Sequence, residues 1–274
     1  MISSYFSVFF LIHTFIPEFP KTLFFYLILF PNIPFVMHLQ PSLSLQLWSI
    51  GVEEQFYLIW PVMLKFSKKR LVVKFLAVIA GTVFLRKIFS LLTVTYGLPR
   101  EVTDYVERCR FDSMAIGACG AYLIYYEKKR ALKILYHPLI QITAILLPWC
   151  ATWFCMPFPL DDTVFYSLFF AITILNVTSN PHSLLKLENK SLDFLGKISY
   201  GIYCYHLIVL HFFVIYMRKY FQIEMPVINA LAMYAFVCTM TIIVSCVSYL
   251  TFEKYFLNLK RYFCLVDNQG ARFN

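Results

Sequence analysis

Two adjacent carboxylates, Glu53 and Glu54, interrupt an apolar run in the segment Trp48-Ser49-Ile50-Gly51-Val52-Glu53-Glu54-Gln55-Phe56-Tyr57. An acid inside an apolar helix is costly in lipid and turns towards a cavity or a partner. Helical spacing puts Ser49, Glu53, Phe56 or Tyr57, and Trp60 along one face, with Glu54 about 100° round from Glu53. That face offers a carboxylate for acid–base chemistry beside a hydroxyl and aromatic rings. The plainer alternative is a helix end at the outer interface, with solvated carboxylates in an aromatic belt. Pro61 removes a backbone donor from the carbonyl of Tyr57, which predicts a kink.

A second cluster is Arg110-Phe111-Asp112-Ser113, followed by Gly117. Arg110 and Asp112 are expected to pair with each other or with Glu53, which lies at a similar depth. Ser113, Gly117 and Ala121 make a small-xxx-small stripe, expected to be a packing face. A third cluster is Ser199-Tyr200-Gly201-Ile202-Tyr203-Cys204-Tyr205-His206. Ser199, Tyr203 and His206 follow i, i+4, i+7 spacing and share a face. They supply hydroxyls and an imidazole for substrate binding and proton transfer; interhelical hydrogen bonding is the alternative use of the same groups. Arg86, deep in an apolar run, is expected to face an internal polar cavity, whereas Lys87 can snorkel. His13 and His38 are read as interfacial.

The elements that must position these residues are membrane helices. Of 274 residues, 60% are hydrophobic and 14% charged, and mean hydropathy is +0.67. A soluble domain is about half apolar and a quarter charged, so an ordinary soluble enzyme is excluded, and 29 Phe and 19 Tyr exclude disorder. The basic residues lie in short clusters between apolar runs, which argues for membrane topology rather than nucleic-acid binding. Apolar runs occupy 2–16, 22–37, 47–64, 75–95, 111–126, 134–154, 163–178, 198–217 and 226–252. The expected fold class is all-α, a polytopic transmembrane helix bundle of about 8–9 spans with no soluble domain. Residues 1–257 form the membrane domain and 258–274 a short cytoplasmic tail. Run 22–37, with Pro31 and Pro34, is expected to be re-entrant or interfacial.

Loop charge orients the bundle. Loop 65–74 (Lys65, Lys68, Lys69, Arg70, Lys74) carries +5 and loop 127–133 carries +3, whereas loop 97–108 carries −1 and loop 155–163 carries −2. The alternation predicts that the two basic loops are cytoplasmic and the two acidic ones extracytoplasmic. Loop 218–225, with Arg218 and Lys219, then falls outside as a mild violation. No pair among the eight cysteines has CxxC spacing, so neither a metal site nor a disulfide framework is expected. Met1 to Phe10 carries no Lys or Arg, so no cleavable signal peptide is expected.

These blocks resemble the acyltransferase 3 family of multi-span membrane O-acyltransferases. Trp48, Ser49, Ile50, Glu53, Gln55, Phe56, Tyr57, Leu58 and Pro61 follow the family's Trp-Ser-Leu-x-x-Glu-x-Gln-Phe-Tyr-Leu-x-x-Pro, with Ile50 for Leu. Arg110, Asp112 and Gly117 match its Arg-x-Asp and small-residue stripe. Ile198, Ser199, Tyr200, Tyr203 and His206 match its Ile-Ser-Tyr-x-x-Tyr-x-x-His block. Glu253 and Phe256 keep its closing Glu-x-Pro-Phe, with Tyr255 in place of Pro. The resemblance implies transfer of an acyl group, usually acetyl, from acyl-CoA on the cytoplasmic side to a hydroxyl of an extracytoplasmic glycan, such as a polysaccharide or lipopolysaccharide. It implies a place in the bacterial cytoplasmic membrane, among lipid, with no bound cofactor, metal or nucleic acid.

Glu53 and His206 are the expected catalytic residues, and Trp48, Ser49, Tyr57, Arg86, Arg110, Asp112, Ser199 and Tyr203 the expected substrate contacts. The family's Arg or Lys ten residues before a His, and its Arg-x-x-Arg loop, have no counterpart here. The chain is therefore expected to begin near the family's third helix and to be inactive alone. The competing class is a non-catalytic transporter or scaffold in surface-polysaccharide export, although no internal repeat of the transporter kind is present.

Overall fold

The structure, a computed structural model, describes residues 22–39, 42–65, 70–156, 161–217 and 226–263. Run 2–16, His13, Lys68, Lys69, loop 218–225 and the end of the tail lie outside the described residues. Among those described, every regular element is helical. In chain order they are α1 (Leu23–Leu27), α2 (Asn32–Val36), α3 (Leu47–Lys65), α4 (Leu71–Tyr96), α5 (Arg100–Arg108), α6 (Phe111–Tyr125), α7 (Lys129–Leu135), α8 (Pro138–Trp153), α9 (Asp162–Ser179), α10 (Lys190–Met217), α11 (Pro226–Ser248) and α12 (Lys254–Phe263). A single 3-10 turn, Ser42–Ser44, precedes α3, and a π-helical turn, Tyr249–Glu253, joins α11 to α12.

The protein is an integral membrane protein. By length and composition the described residues hold four helices able to cross a bilayer, Leu71–Tyr96, Asp162–Ser179, Lys190–Ile215 and Val227–Asn258. They hold five if α7 and α8, bent by 57°, form one broken span. Eight or nine spans are expected from the sequence; run 2–16 lies outside the described residues, and three other runs fall short for physical reasons. Run 22–37 is cut between Ile28 and Pro31 into two five-residue helices, with Pro34 inside the second. Run 111–126 gives fifteen helical residues, about 22 Å at 1.5 Å per residue, against a hydrocarbon core of about 30 Å. In α3, Glu53, Glu54 and Gln55 hold down the apolar average, and the helix runs on through Pro61 to Lys65.

The chain divides into two compact units that interleave in sequence. One comprises residues 29–38 and 49–188. In it α4 packs on α6, α6 on α9, and α9 on α8. Gly97 ends α4 in the left-handed region at φ 67°, where a residue without a Cβ is unstrained. α5 then folds back on α4, with Thr103 donating to the carbonyl of Phe89 at 3.4 Å. At the opposite end Asn176 donates to the carbonyl of Leu135 at 3.0 Å and Gln141 accepts from the Leu184 amide at 2.9 Å.

The other unit comprises residues 1–28, 39–48 and 189–274, built on the pairing of α10 with α11. Ile198 and Cys204 are fully buried in α10. Gln46 donates to the carbonyl of Cys204 at 2.6 Å, and Tyr26 and Ser44 share a hydroxyl bond of 2.6 Å.

Candidate functional site

Arg86 lies sixteen residues into α4 and is buried at 6% exposure. Its guanidinium binds two carboxylates: Nη2 donates to Asp112 Oδ2, and Nη1 donates to Asp161 Oδ1 at 2.7 Å. Asp112 belongs to the first turn of α6 and is wholly buried. Asp161 is the N-cap of α9, where the same Oδ1 also accepts from the Thr163 amide at 3.1 Å. One cation therefore ties three helices together. α4 is 26 residues long, about 39 Å at 1.5 Å per residue, so Arg86 lies level with the starts of α6 and α9 while the end of α4 extends past them. Taking such a triad out of water is costly. Removing one member strands the others, at about 3–5 kcal/mol for a buried pair.

The pairing differs from the sequence expectation. Asp112 pairs with Arg86, not with Arg110 or Glu53; among the described residues the ion pairs are Arg86–Asp112 and Arg86–Asp161. Arg110 instead precedes α6 as its exposed N-cap. The same contact sets the rotation of α6. Its buried stripe is Asp112, Ala115 and Ile116, and Ser113 bonds Ser167 at 2.8 Å. Gly117 and Ala121 are not the packing face: both are less enclosed, and a Cβ at Gly117 would meet no atom within 4 Å. Gly120, 3.7 Å from Leu175 by the same measure, lies closer to the seam with α9.

Arg86 also lines a cleft of about 440 Å³ with Lys87, Ser90, Glu107, Arg110 and Asp162. An adjoining hollow of about 410 Å³ shares Arg110, Asp162 and Thr163 and adds Tyr166, Ser167 and Phe170. Arg86 thus borders a polar cleft while its guanidinium is taken up by Asp112 and Asp161.

Along α3, Glu53 and Glu54 are both half-buried, Tyr57 is 49% exposed, and Ser49 and Trp48 are half-buried. Phe56 and Trp60 stack at 4.6 Å, and Trp60 stacks on Phe75 of α4 at 5.1 Å, so these rings form core between helices. Gln55 makes a reciprocal amide pair with buried Asn32 (2.9 and 3.3 Å) and donates to the carbonyl of Leu29 at 3.2 Å. Those bonds hold the segment around Pro31 against α3. Gly51 permits the approach, because a Cβ there would sit 2.5 Å from Pro31 Cδ. Sequence reasoning saw Gln55 and Gly51 only as parts of a pattern. Their contacts are tertiary and leave no periodic trace.

On α10, Tyr203 and His206 come together, with ring centroids 5.7 Å apart. Ser199 does not join them; its hydroxyl turns back to the carbonyl of Gly196 at 2.9 Å. Tyr203 donates to the carbonyl of Gln46 at 2.9 Å. His206 Nδ1 lies 2.6 Å from the carbonyl of Tyr203. A carbonyl only accepts, so Nδ1 carries a proton, and Nε2 is the ring nitrogen left for another partner.

Sequence reasoning named Glu253 only within the family pattern and not as a site residue; it is buried and ends the π-helical turn. Its Oε1 accepts from Ser248 at 3.1 Å, and the Ser248 hydroxyl also meets Tyr205 at 2.9 Å. A Cβ on Gly201 would lie 3.3 Å from Glu253 Oε1 and 3.2 Å from Ser245 Cβ. An acid at the end of an apolar helix was the available signal.

A model of the Acyl_transf_3 family, described as an acyltransferase domain, matches residues 1–250. The chain belongs to the acyltransferase 3 family. It is thus a membrane acyltransferase, and both the Arg86 triad and the Glu253 cluster are features of an acyltransferase 3 chain. No curated protein and no solved structure matches it.

Proposed function

We propose that this acyltransferase moves an acyl group, acetyl in the simplest case, from acyl-CoA to a hydroxyl of an extracytoplasmic glycan, in the bacterial cytoplasmic membrane. The observation that carries the reading is the polar cleft beside Arg86 in a chain of this family. It lies beside the second half of α4 and at the starts of α6 and α9, which loop charge assigns to the outside. A hydroxylic acceptor needs such a polar recess, whereas the basic loops 65–74 and 127–133 suit the phosphates of an acyl-CoA on the other side.

The acceptor oxygen attacks the thioester carbonyl, a C–O bond forms, the C–S bond breaks, and the hydroxyl proton passes through a base to the leaving thiolate. His206 is the proposed base, acting through Nε2, the ring nitrogen not tied to the Tyr203 carbonyl; general-base help supplies about 10²–10⁴ in rate. Glu53 is the second proposed acid–base group. Trp48, Ser49, Tyr57, Ser199 and Tyr203 are proposed substrate contacts, with Arg86 and Asp112 holding the cleft in shape.

The test uses membranes carrying the full chain, radiolabelled acetyl-CoA and a surface-glycan extract. Label appearing in the glycan as an alkali-labile ester, and lost with His206→Ala, supports the reading. Absence of any ester label, the outcome expected of a chain inactive alone, or label independent of both His206 and Glu53, overturns it.

A further inference from the structure

We infer that the cleft between α4, α5 and the start of α9, together with the hollow adjoining it along α9, binds an uncharged sugar unit of the acceptor, with Glu107, Arg110 and Asp162 as the hydrogen-bonding wall of the cleft and Tyr166 as the apolar wall of the hollow; this rests on the acyl-transfer reading above. Arg86 and Asp161 are committed to each other and to Asp112. The charged groups left to a ligand are Lys87 and Arg110 against Glu107 and Asp162, all exposed and none in an ion pair among the described residues. Two cations and two carboxylates sum to zero.

A phosphate-rich donor or an acidic sugar would meet the carboxylates of Glu107 and Asp162 at close range. A neutral polyol satisfies both kinds of group, because its hydroxyls donate to the carboxylates and accept from Arg110 and Lys87. Each hollow, about 440 and 410 Å³, falls within the range of small-molecule sites, about 300–1,000 Å³. The second adds Tyr166, whose ring runs nearly parallel to that of Phe170 at 6.3 Å and 26°. Such an aromatic surface suits the apolar C–H face of a pyranose. Mixed charge on one side and rings on the other discriminate by ligand charge rather than by sequence of linkage.

The experiment uses the full chain in lipid nanodiscs and saturation-transfer NMR with neutral gluco-, manno- and galacto-tetrasaccharides against tetragalacturonate. At least one neutral probe is expected to bind, with tetragalacturonate at least tenfold weaker. Asp162→Asn and Tyr166→Ala are each expected to weaken the neutral probe about tenfold, while Glu101→Gln, outside the cleft on α5, leaves binding unchanged. Equal binding of the acidic probe, no binding of any neutral probe, or wild-type binding by both cleft variants overturns the inference. Transfer from radiolabelled acetyl-CoA is followed on the same samples. Neutral binding that depends on the cleft but is never followed by transfer supports the cleft and counts against the acyl-transfer reading. Transfer that persists with cleft variants binding as wild type counts against the cleft alone.

Discussion

Arg86 carries the most concentrated electrostatics among the described residues, because a single guanidinium offsets two carboxylates that begin two other helices. Arg86→Met removes the cation and leaves Asp112 buried without a counter-charge. The expected loss is about 3–5 kcal/mol, read as a fall in the thermal midpoint of the purified protein; Asp112→Asn together with Arg86→Met recovers part of it. An unchanged midpoint for Arg86→Met would show that the triad contributes nothing. Glu53 and Glu54 are equally half-buried neighbours, so burial does not tell them apart. The family pattern retains only the first acid. Glu53→Gln is therefore expected to lower acyl transfer at least tenfold more than Glu54→Gln, and equal effects would remove Glu53 from the site.

At the scale of elements, two glycines set how closely segments approach. Gly51→Ala drives a Cβ to 2.5 Å from the rigid Pro31 ring, which is overpacking of the kind that costs about 1–3 kcal/mol. The expected signs are a lower thermal midpoint and faster proteolysis in the 29–38 segment. Gly201→Ala is milder, since its Cβ contacts of 3.2 and 3.3 Å are to Ser245 and the Glu253 carboxylate. It is expected to shift the α10–α11 seam, and Gly201→Ala with Glu253→Gln separates crowding from loss of the acid. Thermal midpoints of the two single variants rank the contacts; a larger loss for Gly201→Ala would reverse the argument.

For the whole molecule the testable property is sidedness. Cys155 begins one of the two acidic loops that charge alternation assigns outside, and Cys109 directly follows the other. Single-cysteine variants are expected to react with a membrane-impermeant maleimide added externally. Cys155 is exposed and reacts fast. Cys109 reacts at least tenfold more slowly at neutral pH, because it is only partly accessible and burial raises its thiol above the ordinary value. Labelling of Cys155 only after the membrane is opened would invert the topology.

The sequence by itself determined the class. A 60% hydrophobic chain with clustered basic loops has no way to satisfy water except as membrane helices. Three ordered motifs were enough to place it in its family, and the idea of a polar recess at Arg86 came from the cost of an arginine in lipid. Which runs can cross depended on the break before Pro31, on the shortness of α6 and on the polar Glu53-Glu54-Gln55 within the unbroken α3, and local hydropathy overcounted these. Three further features were decided only by tertiary structure: Asp112 paired with Arg86 rather than Arg110, α6 turned Gly117 away from its seam, and Gln55 bonded Asn32. The two pairings join residues 26 and 23 apart in sequence. A helical repeat reports which face a side chain occupies, but not which distant carboxylate, amide or proline ring will stand opposite it once the helices pack.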